Sequence, residues 1–290
     1  MMHGNATQTT TPLTVRWPSP RLPLPNRLPR LLPELLLLAA VYFGYKYGRK
    51  VANGHPDEAT HHADHVWSLE RTLHLPSERS VQNLALHSHT LVHAANYLYA
   101  TVHFPAMVCF LGYMFVRHRA HYLWIRRAIV IQTMLALLGH LFFPLAPPRL
   151  LPMARMVDTA QVYGPAVYRP DPDTHSMSNQ FAAMPSLHVG WALAIAVGLI
   201  AAGRSRLRYL WLLHPLLTML VVVSTANHYW LDCLAGSALL GLALMVIPGP
   251  DPDAPLPPDT HWAWPFKRDR GAAAHPAAAS AAAGPGTGEA

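Results

Sequence analysis

The chain has 290 residues, of which 51% are hydrophobic and only 13% charged. Soluble domains carry about 25% charge, so the composition excludes an ordinary soluble protein and points to a membrane protein. The net charge of +7 comes from basic residues in short loops, not from one continuous basic face, which favours membrane topology over nucleic-acid binding.

Residues 1–30 are rich in Pro, Thr and Arg, show no periodicity and read as a disordered basic tail. An apolar stretch follows at 31–47. It begins too far in for a signal peptide and no small-residue cleavage site follows, so an uncleaved membrane helix is expected. Residues 62–95 have weak helical patterning and many histidines. They read either as a helix lying at the interface or as an extension of the second span. Five more stretches approach the length of about 20 residues that a membrane helix needs. They run at 96–116, 124–143, 187–203, 208–225 and 229–248. Residues 249–290 hold Pro-Asp repeats, a basic patch at Lys267, Arg268 and Arg270, and an Ala/Gly/Pro-rich end, and read as a second disordered tail. The expected fold is all-α, a polytopic bundle of about six transmembrane helices over 31–248. Cys109 and Cys233 fall inside apolar segments, so no disulfide is expected.

Arginine outnumbers lysine 19 to 3, and with the abundant Ala and Pro this suggests a GC-rich bacterial genome. Fourteen of the 22 basic residues fall on one set of loops: Arg16, Arg21, Arg27 and Arg30; Arg117, Arg119, Arg126 and Arg127; Arg204, Arg206 and Arg208; and the C-terminal patch. The positive-inside rule then places both termini in the cytoplasm of a cell with the protein in its plasma membrane. The 144–186 loop and the 226–228 turn face outward, on the extracytoplasmic side.

Those two outward segments carry the chemistry. Ala183-Met184-Pro185-Ser186-Leu187-His188 opens one apolar run, and Thr225-Ala226-Asn227-His228-Tyr229-Trp230-Leu231-Asp232 opens another. His228 and Asp232 are four apart, so on a helix they share a face. A carboxylate there holds one imidazole nitrogen and leaves the other free to attack. His188 supplies the proton that a leaving oxygen needs. Arg149, in Pro-rich Phe143–Pro152, is stiffened near the membrane surface and can grip a phosphate with paired hydrogen bonds. Ser186 is placed to cap the fourth helix, whose N-terminus would direct free N–H groups at the same phosphate. Asn227 reads as a cap or a phosphate neighbour.

Pro147-Pro148-Arg149, Pro185-Ser186-Leu187-His188 and Asn227-His228-Tyr229-x-x-Asp232, in this order, resemble the type-2 phosphatidic acid phosphatase superfamily. The likeness covers about residues 65–248 and points to the branch containing the inositol phosphorylceramide synthase catalytic subunit of fungi and its actinobacterial relatives. The resemblance implies that His228 attacks phosphorus and becomes a phosphohistidine, that Asp232 is its partner, that His188 protonates the leaving group and that Arg149 binds phosphate. Three positions depart from the phosphatase pattern. Phe142 stands where a lysine is usual, Leu187 where glycine is, and Val222 where an arginine is. The transferase branch shows similar substitutions. Arg155 and Arg169, in the same loop, are candidates to make up the missing charge.

The resulting expectation is an integral membrane enzyme that cleaves or transfers a phosphate ester on a lipid, inositolphosphotransferase-like. The alternatives are a lipid phosphate phosphatase acting on phosphatidate or polyprenyl diphosphate and, from another class, a non-enzymatic transporter. The absence of Gly/Pro-broken helices in paired halves argues against the transporter. No cofactor, metal or nucleic-acid partner is expected. The pairs His61/His65 and His89/His93 have helical zinc-site spacing but no firm third ligand. His103, deep in the second span, reads as a packed or hydrogen-bonded residue, with a place facing the active-site cavity as the alternative.

Overall fold

A computed structural model of the chain describes residues 28–51, 56–165 and 181–250. The expected tails at 1–30 and 249–290 lie almost wholly outside these residues. The chain divides into two compact units, residues 1–40 and 41–290. Helix α1 (Leu28–Val51) runs through the boundary. It is long enough to span a bilayer but carries Glu34 and Lys46, and it is not among the helices that are both long and apolar enough to cross one.

The described residues are helical, without named strands, as the sequence indicates. Helices α4 (His89–Tyr97) and α5 (His103–Arg117) are joined by a π turn, Leu98–Val102, into one apolar span of 29 residues. Helix α6 (Arg119–Phe142) is the second long span, and Arg206–Ser224 is the third, made of a 3-10 turn and α9 (Leu213–Ser224). Helices α8 (Leu187–Ala202) and α10 (Trp230–Val246) are apolar but shorter. Leucines 207, 210, 213, 216, 217 and 220 all face outward, unpaired with core. Such a surface suits lipid and not water.

The 62–95 segment resolves into pieces. Helix α2 (Pro56–Thr72) has proline at its first position, acids Asp57 and Glu58 in its first turn and Arg71 in its last, each suited to its end of the helix. Ala59, Ala63, Val66 and Glu70 form one buried face, spaced by four and three residues. The two alanines let the backbone come close, and the Ala59 carbonyl accepts a hydrogen bond from Ala146 N–H at 3.1 Å. Helix α3 (Glu78–Leu86) follows a turn. Helix α4 then opens the second span, so the expected lengthening of that span holds for the end of the segment.

Three helices meet at two glycines. A Cβ on Gly236 of α10 would lie 2.1 Å from the Ser186 carbonyl oxygen at the start of α8. A Cβ on Gly190 of α8 would lie 2.0 Å from Gln132 Nε2 of α6. That amide donates to the Gly236 carbonyl at 2.9 Å, and the Ser186 N–H donates to the Asp232 carbonyl at 2.9 Å. Small residues at such crossings let membrane helices pack without a water-driven force.

Glu70 ties α2 to α10 by accepting the Leu231 N–H at 2.8 Å. Arg71 Nη2 donates to both oxygens of the adjacent Glu78, at 3.2 and 2.9 Å. Glu70 lies outside the spans and is fully buried. Burial first, and the Glu78 carboxyl second, push its pKa from the usual 4.5 up to about 9, while the Leu231 N–H pulls the other way. The folded chain thus keeps a proton that the unfolded chain releases near pH 4.5. This contribution to stability is complete below pH 4.5 and is lost as pH rises toward 9. Melting temperature in detergent, read by tryptophan fluorescence, is therefore expected to fall between pH 5 and 9. Glu70→Gln, which is neutral throughout, should flatten that fall, and a variant profile as steep as the wild type would contradict the assignment.

Candidate functional site

The two motifs are laced together by backbone. Leu145 and Ala182 form an isolated parallel bridge, with Leu145 N–H donating to Phe181 O at 2.8 Å and Ala183 N–H to Leu145 O at 3.1 Å. Tyr229, fully buried, reaches across to donate from its hydroxyl to Ala146 O at 3.1 Å. Arg149 N–H donates to Ala226 O at 3.2 Å, and Ala226 adopts φ +56°, a left-handed turn at the end of α9. The loop after α6, the loop before α8 and the turn before α10 thus form one platform.

His228 and Asp232 meet, but not along a helix as their spacing suggests. Helix α10 starts at Trp230 because Asp232 Oδ2 accepts the Tyr229 N–H at 2.9 Å and closes the first turn there. His228 lies in the turn before it, with its N–H held by Val222 O at 3.2 Å. Its Nδ1 lies 2.8 Å from Ala183 O and 3.3 Å from Asp232 Oδ2. The backbone carbonyl, not the carboxylate, makes the shorter contact. Both partners accept hydrogen bonds, so Nδ1 is the ring nitrogen that donates to them. His228 is 5% exposed and lines a cavity of about 240 Å³.

His188 sits in the first turn of α8 and lines the same cavity. Its ring centroid is 5.8 Å from that of His228, and it stacks on Tyr99 at 4.5 Å and 22°. Arg149 also lines the cavity. Its guanidinium donates to Asn227 Oδ1 from Nη1, and its Nε lies 3.4 Å from Asp158 Oδ2. Asn227 is itself fixed by Thr225, whose Oγ1 accepts from Nδ2 at 2.8 Å. Two neighbours therefore set the direction of the arginine before any ligand arrives.

The remaining expected groups take different places. Ser186 occupies the N-cap position, but its side chain makes no capping bond, is fully buried and is not among the cavity's lining residues. Its backbone lies at the close approach of Gly236. Arg155 is exposed, in a left-handed conformation, and does not line the cavity. Arg169 lies outside the described residues. Phe142 is 80% exposed, and Val222 is buried in an apolar cluster with Val189, Val223 and Cys233. Neither position faces the cavity, so Arg149 is its one Lys or Arg among the described lining residues. His65 Nε2 lies 3.3 Å from His61 Nε2, and among the described residues no group of three or more metal-ligating side chains gathers.

Sequence reading missed several lining residues. His140, near the end of α6, makes Nδ1 and Nε2 contacts to Met184 O at 2.9 Å and Tyr45 Oη at 3.2 Å. Tyr42, Tyr99 and Trp191 join it in the wall. No motif marks them in the sequence. His103 is in the wall too, which was one of its two expected places.

No curated protein and no solved structure matches the chain. Residues 64–246, which contain Arg149, His188, His228 and Asp232, match the PAP2 superfamily. With more than half of its length matched around this geometry, the chain belongs to the PAP2 superfamily.

Proposed function

We propose that the protein cleaves or transfers a phosphate ester on a membrane lipid through a phosphohistidine on His228. Members of its superfamily are phosphatases or phosphotransferases. The observation that carries the reading is the pair of acceptors at His228 Nδ1. Two acceptors on Nδ1 leave Nε2 as a nucleophile on a cavity that also holds His188 and Arg149. Nε2 attacks phosphorus as the bond to the alcohol oxygen breaks, and protonated His188 gives that oxygen its proton. Water or a second alcohol then attacks phosphorus and loses its proton to His188, the P–N bond breaks, and His228 returns to its starting form. Asp232 and Ala183 O face the positive charge that the ring gains in the intermediate. Arg149, the neighbouring Asn227 and the N-terminal end of α8 face the non-bridging oxygens.

Transfer of an inositol phosphate-like group is the favoured form. A phosphate monoester carries nearly two charges and a diester one. A cavity with a single arginine and several uncharged donors suits the diester better. The runner-up is a lipid phosphate phosphatase. Product analysis with and without an alcohol acceptor separates the two. We further place the site on the extracytoplasmic face of the plasma membrane, on the arginine distribution between loops.

His228→Ala is expected to lose at least about 10³-fold in turnover on lipid and aryl phosphates alike, because no covalent intermediate can form. Radiolabelled substrate should leave an acid-labile label on wild-type protein only. Activity above a few per cent in the variant removes His228 as nucleophile.

His188→Ala should lose about two to four orders of magnitude on the lipid but far less on a p-nitrophenyl ester, whose leaving group needs little protonation. Equal losses on both would pass the acid role to another group.

Topology is tested with an impermeant thiol reagent on intact cells. Cysteine at exposed Gln161 should be labelled, and cysteine at exposed Ser205 should be protected. The reverse pattern inverts the assignment.

A further inference from the structure

The π turn at Leu98–Val102 sets Tyr99 and His103, four residues apart, against the same ring. His103 lies 4.7 Å from His188 between ring centroids and stacks on Trp191 at 5.9 Å and 8°. It is 8% exposed, and its Nε2 is buried without a hydrogen-bond partner among the described residues. A buried polar nitrogen left unpaired is costly, so natural structures retain one where a ligand or water completes it. A second such nitrogen is close by. His214 Nε2, on α9, is also buried without a partner among the described residues. His103, His188 and His214 together line a small cavity of about 80 Å³ that adjoins the catalytic one through Tyr99, His103 and His188.

We propose that His103 and His214 form a hydroxyl-binding subsite for the alcohol that leaves or enters at phosphorus. The inference rests on the phosphohistidine reading. In-line displacement places the leaving oxygen opposite His228, within reach of His188. The alcohol then extends beyond His188, and that is where the two unpaired nitrogens lie. Each imidazole can donate to or accept from a hydroxyl, so together they select an alcohol bearing a second hydroxyl over one without it. Sites built to bond a hydroxyl discriminate strongly against analogues lacking it, because the buried partners are then left unpaired.

The test uses the full chain in detergent, p-nitrophenyl phosphate as donor, and equimolar glycerol and 1-propanol as competing acceptors. Wild type should form glycerol phosphate over propyl phosphate by about tenfold or more. His103→Ala and His214→Ala should each bring that ratio near one, and His103→Gln should recover part of it. The double variant should be no worse in ratio than either single one, since both act on one hydroxyl. A purely structural role lowers both products together and leaves the ratio at its wild-type value, which overturns the proposal. A wild-type ratio near one means that the subsite holds only water and also overturns it. Loss of the underlying reading is distinguishable, because p-nitrophenol release would then persist in His228→Ala.

Discussion

The site depends on one close approach, where Gly236 of α10 passes the Ser186 carbonyl at the start of α8. Any side chain at Gly236 would press into backbone that cannot turn aside. Overpacking of a core commonly costs about 1–3 kcal/mol, and here it would also push two helix N-termini apart. Those termini carry two of the candidate catalytic residues. His188 rides in the first turn of α8, and Asp232 in the first turn of α10. The hydrogen bond from Ser186 N–H to Asp232 O fixes their register. Gln132 closes the same crossing from α6, so a third helix shares the constraint. A membrane bundle lacks the hydrophobic drive that locks soluble cores, and contact between small residues does that work instead.

His228 is oriented mainly by backbone. The Ala183 carbonyl is set by its bridge to Leu145, which is in turn set by the loop leaving α6. Asp232 Oδ2 divides its attention between the His228 ring and the Tyr229 N–H. One carboxylate thereby ends a helix and faces the His228 ring. The two tasks are compatible because a residue at the third helical position points back toward the chain that enters the helix. The same logic extends outward: Glu70 takes the N–H of Leu231, the second residue of α10. The end of this helix is thus fixed from inside the bundle and from α2.

The spans were legible because apolar runs of membrane length are few and plain. The motifs were legible because their order and spacing survive in one dimension. What failed was local. The His228–Asp232 spacing suggested one helix, yet the aspartate stops the helix short of the histidine. Ser186 has the residue type of a cap, but a helix crossing buries its hydroxyl away from the first N–H groups. The break of 62–95 into three helices, and the π turn at 98–102, leave little trace in hydropathy. His140 and Tyr45 meet across 95 residues of chain, a pairing that no spacing rule reaches.

Phe142 and Val222 show why the departures from the phosphatase pattern do not disturb the fold. Phe142 ends α6 facing outward, where an aromatic ring is at home in lipid. Val222 sits in an apolar cluster, where an unpaired arginine would be costly. Neither residue lines the cavity that holds His228 and Arg149. The charge lost at these positions is therefore not replaced in place. The wall instead offers polar rings, Tyr45, Tyr99, His103 and His140. Neutral donors bind a weakly charged phosphate without the repulsion or desolvation that extra cations bring. Under the proposed function, a wall of this kind would favour contacts to the group attached to the phosphate over grip on the phosphate alone.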